Sequence, residues 1–508
     1  MRPSRRTTLL AAVALALAPL PALASASSTT RPAEPPRLQP WLSDVLRTAS
    51  ADRPLRVMVS AESTSAASAA VRAAGLRVQQ TWNSVGVVVA IGLPAQVRKV
   101  STHAGVQYVE GDQPMTYTLD TVHRATRSDV ALASQRTTKG QRVDGLGVSI
   151  AVIDSGIDAT HPFFKGKDGK SKVVVNLKDT CTQFTSSSGD CFFADPSGDS
   201  DTSSVGGHGT HVAGIAAGVE TQTTGATPLR LRGAAPGATL IGLSAGAGLL
   251  LTNVVGAQNW VLEHQKRPCR AAKDQDGPIE PACPPIRVTN HSYGPARPAE
   301  GGNRFDEFSA AVRIQRALVE KGVVAVWAAG NSAGNGSIAT TNPPGMDPTP
   351  GILMVANYSD RQAGDRDNRL SASSSRGKLG DRTTYPDLSA PGDRITSSCR
   401  PYLAVCSTGL VPKDGPGPAD VATFNTISGT SMAAPYIAGV VAQLFQLNPR
   451  LTPGQVEQIL ENTAHRFTEG GDYQRDEPGL NRRTPTSFDK GHGLVDVQAA
   501  LTAARKAR

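Results

Sequence analysis

Beyond residue 23 the sequence has no apolar run long enough to span a bilayer, which takes about 20 residues, so no stable membrane anchor is expected. It also lacks a Cys-x-x-Cys pair, a His-Glu-x-x-His signature and an acidic loop with EF-hand spacing, which removes the common zinc and calcium motifs. Acids are outnumbered by bases, 43 against 52, for a formal net charge of +9. The bases form no nucleic-acid-binding motif, so the charge is read as a solubility and surface effect, and nucleic acid is not expected as a partner.

The N-terminus and the cysteines indicate export. The basic start Met1-Arg2-Pro3-Ser4-Arg5-Arg6, a short Pro-broken apolar stretch from Leu9 to Leu23, and Ala22-Leu23-Ala24 read together as a secretory signal peptide over 1–24. Ser4-Arg5-Arg6 followed by Leu9 and Leu10 also fits a twin-arginine signal, so Sec and twin-arginine export both stay open. An even count of six cysteines in an exported chain favours disulfides. Several connectivities are possible, and the simplest pairs Cys181 with Cys191, Cys269 with Cys283 and Cys399 with Cys406.

Three stretches carry chemistry. Asp154 follows the apolar run Val148-Ser149-Ile150-Ala151-Val152-Ile153, a pattern for a buried parallel strand, so its carboxylate is placed at a rigid strand end. His208 opens a small-residue helix pattern in Gly207-His208-Gly209-Thr210-His211-Val212-Ala213-Gly214. Ser431 does the same in Gly429-Thr430-Ser431-Met432-Ala433-Ala434-Pro435. A serine hydroxyl is a weak nucleophile that needs a base in hydrogen-bond reach and a carboxylate to orient that base. At a helix N-terminus, backbone donors also favour an oxyanion forming beside Ser431. Ala433 stands where an α/β-hydrolase elbow needs its second glycine, and Gly209 stands where a zinc protease needs its glutamate. His211 therefore reads as a packed helix residue, with no metal ligands assigned.

The order Asp, His, Ser and these three motifs resemble the subtilisin-like (subtilase) serine peptidases. The resemblance extends to Gly322-Val323-Val324-Ala325-Val326-Trp327-Ala328-Ala329-Gly330-Asn331, which makes Asn331 the side-chain donor to the oxyanion, and to Gly491-His492-Gly493-Leu494-Val495-Asp496 near the end. Ile286 to Gly294 is similar to the family strand ending in Ser-x-Gly, so Ser292, Tyr293 and Gly294 are expected to line the first pocket and pair with substrate backbone. Gly246 and Gly248 would form the opposite wall. Tyr293 departs from the small or aliphatic residue usual at that place. Dibasic-cleaving relatives carry acids next to the histidine, whereas Ser204, Val205, Gly206 and Gly207 precede His208, so broad or apolar-leaning cleavage is expected.

Alternating strand and helix patterns imply an α/β fold: three layers with a mostly parallel central sheet, over residues 143–508. Strands are expected at 149–154, 238–243, 288–292, 323–328 and 352–357. Residues 55–117 show a β-α-β-α-β pattern and resemble the small α+β, ferredoxin-like subtilase propeptide, an intramolecular inhibitor and chaperone that the enzyme removes itself. A flexible leader is expected over 25–54 and a maturation linker over 118–142. Asp195, Asp199 and Asp201 read as solvated loop carboxylates; structural calcium is compatible with the resemblance, and no cofactor is needed for catalysis. The expected protein is a secreted, monomeric, self-maturing serine endopeptidase acting on proteins or peptides. A noncatalytic extracellular peptide-binding protein and a peptide ligase or cyclase are the alternatives.

Overall fold

The computed structural model describes residues 37–112, 115–117, 125–179, 192–194, 198–201, 206–224, 228–246, 249–271, 283–360, 364–407, 410–474 and 485–507. The signal peptide, Cys181, Cys191, Asp195 and Gly248 lie outside the described residues. No helix among the described residues is long and apolar enough to cross a membrane.

The N-terminal region is built on β1 (Arg37–Leu38), α1 (Pro40–Thr48), β2 (Leu55–Ala61), α2 (Thr64–Ala73), β3 (Arg77–Trp82), β4 (Val87–Gly92), α3 (Pro94–Val100) and β5 (Val106–Gly111). Its five strands run in the order β1-β5-β2-β4-β3. Alternation along β2 and β4 explains the layering. Val57, Val59, Val88 and Ala90 pack under α2 and α3, while Met58, Val87 and Val89 face the larger part of the molecule. Two features depart from the sequence reading. The segment expected as a flexible leader contains β1 and α1, with β1 added parallel to β5. The polar strand β3 also went unpredicted: its hairpin with β4 supplies the pairing that its sequence pattern does not advertise.

After β6 (Met115–Tyr117), α4 (Ser128–Ser134) occupies part of the expected linker, with Ala131 joining the main core. The chain continues through β7 (Ser149–Asp154), β8 (Val173–Asp179), β9 (Phe192–Ala194), α5 (His208–Ala217), β10 (Thr221–Gln222), β11 (Arg230–Leu231), β12 (Thr239–Ser244), α6 (Leu251–His264), α7 (Pro268–Ala271), β13 (Ile286–His291), β14 (Tyr293–Pro295), α8 (Ala310–Glu320) and β15 (Val324–Ala328). It ends through β16 (Ile352–Tyr358), β17 (Leu388–Pro391), β18 (Ile395–Ser398), α9 (Ala404–Ser407), β19 (Leu410–Lys413), β20 (Phe424–Ile427), α10 (Thr430–Leu447), α11 (Pro453–Thr463) and α12 (Val497–Lys506). The central sheet runs β17-β16-β15-β13-β7-β12-β8-β9, parallel except for β9. All five strands expected from the sequence are present, within one or two residues at their ends.

This is the expected three-layer α/β arrangement. Helices α5, α10 and α12 share one core with one face of the sheet, and α6 and α8 share another with the opposite face. The chain leaves β7 toward β12 on one side and later returns to lay β13 on the other side. That reversal opens a crevice at the carboxyl ends of the strands, where Asp154 emerges. Disulfides Cys269–Cys283 and Cys399–Cys406 form as the local pairing predicted.

Candidate active site

Asp154 closes β7, whose six residues are all buried. Its Oδ1 accepts from His208 Nδ1 at 2.6 Å and from the Ser155 amide at 2.8 Å. The imidazole is thereby fixed with Nδ1 toward the acid, leaving Nε2 to act as base. Glycines make this approach possible. A Cβ on Gly209 would lie 2.2 Å from the Gly156 carbonyl oxygen and 3.0 Å from Asp154 Cβ. Any side chain there would push α5 away from the acid.

Ser431 sits in the first turn of α10, and its position depends on a proline four residues later. Pro435 has no N–H, so the Ser431 carbonyl loses its helical partner. Ser292 Oγ donates to that carbonyl at 2.8 Å, and Ser431 Oγ donates to the Ser292 carbonyl at 2.8 Å. The reciprocal pair ties the nucleophile's turn to the strand next to it. Asn331 follows β15 and accepts through Oδ1 from the Thr430 N–H at 3.0 Å and Thr430 Oγ1 at 3.1 Å. With its oxygen committed to Thr430, the amide has its Nδ2–H pair on the opposite side.

The expected substrate strip is partly assembled. β6 pairs antiparallel with β14: Tyr117 with Tyr293, Thr116 with Gly294 and Met115 with Pro295. Gly294 is needed because Asn342 Nδ2, which donates to the Tyr293 and Ala328 carbonyls at 2.7 and 3.1 Å, would stand 2.9 Å from a Cβ. Tyr293 offers backbone only, since its ring is buried and its hydroxyl lies 2.8 Å from His291 Nδ1. Gly246 follows β12 with φ +78°, its missing Cβ 3.1 Å from Asn253 Nδ2. Among the described residues β6 pairs with β14 alone.

The other histidines are interior residues. His211 is buried with Nε2 3.0 Å from the Asn425 carbonyl, and burial lowers its pKa to about 3. His161 packs edge-on to Phe424, with its pKa lowered to about 4, again mainly by burial. His291 lies in β13, stacked on Trp327 at 4.2 Å, because alternation turns it into the α6 and α8 core. His492 is buried with Nδ1 3.3 Å from Glu461 Oε1, a structural placement.

Asp201 departs most from the sequence reading. It is fully buried beneath α5, not solvated in a loop. Asp387, Glu457 and Glu461 come within 4.8 Å of one another and are also buried. Protein groups engage this cluster: Asp387 Oδ2 accepts from the Met354 amide at 2.7 Å and Glu457 Oε2 accepts from the Gly351 amide at 2.5 Å. The cluster therefore joins β16, β17 and α11 at the end of the sheet opposite the crevice.

Comparison with known proteins agrees with this geometry. The family model described as "Subtilase family" matches residues 145–493. Serine protease AprX of Bacillus subtilis (strain 168) is 29% identical over 344 residues, covering 66% of this chain and 65% of AprX. An extracellular protease of Xanthomonas campestris pv. campestris is 30% identical over 434 residues, covering 80% of this chain and 61% of that protein. The chain thus spans less than two thirds of the length of either relative. The crystal structure of fervidolysin from Fervidobacterium pennivorans, a keratinolytic enzyme related to subtilisin, shares the fold with a TM-score of 0.57 at 23% identity, over 89% of this chain and 61% of that one. The motif order, the crevice that unites the motifs and the match over residues 145–493 lead to one conclusion: this chain belongs to the subtilase family.

Proposed function

We propose that the protein is a secreted serine endopeptidase made as a zymogen. The observation that carries this reading is the Asp154–His208 bond of 2.6 Å in the same crevice as Ser431 and Asn331. His208 takes the Ser431 Oγ proton as Oγ attacks a peptide carbonyl. Asn331 Nδ2 and the Ser431 amide stabilise the resulting oxyanion, and His208 returns the proton to the departing amine. Water, activated by the same imidazole, then hydrolyses the acyl-enzyme. No metal enters the chemical step. The extracellular address is supported by the N-terminal sequence and by the similarity to the Xanthomonas extracellular protease.

The zymogen reading is supported by β6, which adds a strand beside β14 as a peptide substrate would. The Tyr117–Tyr293 pair lies one residue from Ser292, whose carbonyl holds Ser431 Oγ at 2.8 Å. The expected cut therefore lies just after Tyr117. The segment read from the sequence as the maturation linker, 118–142, begins there.

Intact mass and N-terminal sequencing of the exported wild type and of Ser431→Ala test this reading. Cleavage near residue 118 in the wild type, absent in Ser431→Ala, is the expected result. Identical cutting of both would assign maturation to another protease. An uncut wild type would favour a peptide-binding protein.

A further inference from the structure

Gly207 begins α5 without a side chain, so His208, Gly209 and Thr210 start the helix with no cap from the usual position. Their donors are met from outside the helix. The Gly209 amide donates to Ser155 Oγ at 2.8 Å, and the Thr210 amide donates to Asp201 Oδ2 at 3.1 Å. Thr210 Oγ1 donates to the same oxygen at 2.5 Å and accepts from the Asp158 amide at 2.9 Å. Asp201 Oδ1 takes Ser155 Oγ at 2.6 Å. One carboxylate therefore holds the residue after Asp154 with one oxygen and the residue two after His208 with the other.

We propose that Asp201 is a positioning residue that clamps the loop after Asp154 to the first turn of α5 and so sets the geometry of the Asp154–His208 pair; this rests on the peptidase reading above. The site is built for an anion. It lies at the N-terminus of a ten-residue helix and receives hydrogen bonds from the Ser155 hydroxyl, from the Thr210 hydroxyl and amide, and from the Gly207 amide at full burial. Asparagine in its place would present one acceptor oxygen and one NH2 donor, and could not accept from the Ser155 and Thr210 hydroxyls on two separate oxygens as the carboxylate does. Catalytic geometry is sensitive at this scale, where a shift of about 1 Å is worth roughly a hundredfold in rate.

Burial raises the Asp201 pKa to about 6, so this clamp opens in acid. The titratable groups on elements packed against it are Asp154 and Asp158 after β7, His208 and His211 on α5, Asp199 in its own segment, and Arg400, which pairs with Asp158 at 2.8 Å. Protonation of Asp201 then lowers log kcat/KM below about pH 6, adding its own share to the acid limb of the profile.

The test compares wild type, Asp201→Asn and Thr210→Val in the full chain, with kcat normalised to sites labelled by a fluorophosphonate. The low-field proton resonance of the Asp154–His208 bond is recorded in parallel. The expected result is a loss in kcat of about tenfold or more in Asp201→Asn with KM within about twofold, a shallower acid limb, and a displaced low-field resonance. A smaller change in the same direction is expected for Thr210→Val. Unchanged kcat per labelled site, acid slope and resonance in both variants, even with reduced thermal stability, would overturn the proposal while leaving the peptidase standing. A wild type that neither labels nor turns over would sink the peptidase reading, and the resonance alone would still decide the role of Asp201.

Discussion

Asn331 shows how little of a residue's role lies in its own neighbourhood of sequence. Asn after a strand is an ordinary turn former, yet here its oxygen is taken up by Thr430, which leaves its nitrogen on the other side of the amide. Asn331→Ala is expected to lower kcat by about a hundred- to a thousandfold, roughly 3–4 kcal/mol, a figure that comes from subtilisin, a member of the same family. KM should barely move, because the bond is made in the transition state; a rise in KM at constant kcat would mean that Asn331 binds ground-state substrate. Asp154, His208, Ser431 and Asn331 were legible because each sits in a long motif. Asp201 was not, because one aspartate among Asp195 and Asp199 carries no sign of burial, and its partners Ser155 and Thr210 are ordinary residues inside motifs read for their neighbours.

At the scale of elements, helix N-termini organise both the active site and the seat of the N-terminal region. The end of β5 and the residue after it supply two acids to the helices beneath. Asp112 Oδ1 accepts from the amide and hydroxyl of Thr252 at the start of α6, both at 2.8 Å, and Glu110 accepts from the Ala310 amide at the start of α8. Desolvation outweighs that hydrogen bond and raises the Glu110 pKa from an ordinary 4.5 to about 8, with Asp306 adding to the rise and Arg313 opposing it. A group raised on docking contributes fully below about pH 4.5, and the contribution is lost as pH climbs through about 8. Each tenfold in proton affinity is about 1.4 kcal/mol, so the loss is on the order of a few kcal/mol. In an uncleaved Ser431→Ala background, denaturation midpoints should fall between about pH 5 and 9, and Glu110→Gln should flatten that dependence. An equal slope in both proteins would remove Glu110 from it.

A second expectation at this scale concerns the loop closed by Cys399–Cys406. It packs against the residue before the base: a Cβ on Gly207 would lie 2.8 Å from Cys406 Sγ, and the Val405 amide donates to the Gly206 carbonyl at 3.1 Å. Replacing both cysteines by serine is expected to lose about 2–3 kcal/mol of stability in the chain-entropy view, seen as a lower Tm, and to lower kcat through His208. A lower Tm with unchanged kcat would confine the loop to a stabilising role.

Over the whole molecule, the sequence by itself determined the class of fold, five of the eight strands of the central sheet, two disulfides and the motifs that carry Asp154, His208 and Ser431. Strong hydrophobic runs and Gly-rich motifs encode these locally, so no partner has to be known to read them. Only the tertiary structure decided the rest. The polar β3 exists because β4 lies beside it, and β1 and α1 take shape because β5 offers an open edge. His291 is interior because Trp327 and the helices behind it close over β13. Asp201 becomes an anchor because β7 and α5 converge on it. Burial, edge pairing and the shift of a carboxyl's proton affinity are properties of what surrounds a residue, and those surroundings come from segments dozens to hundreds of positions away.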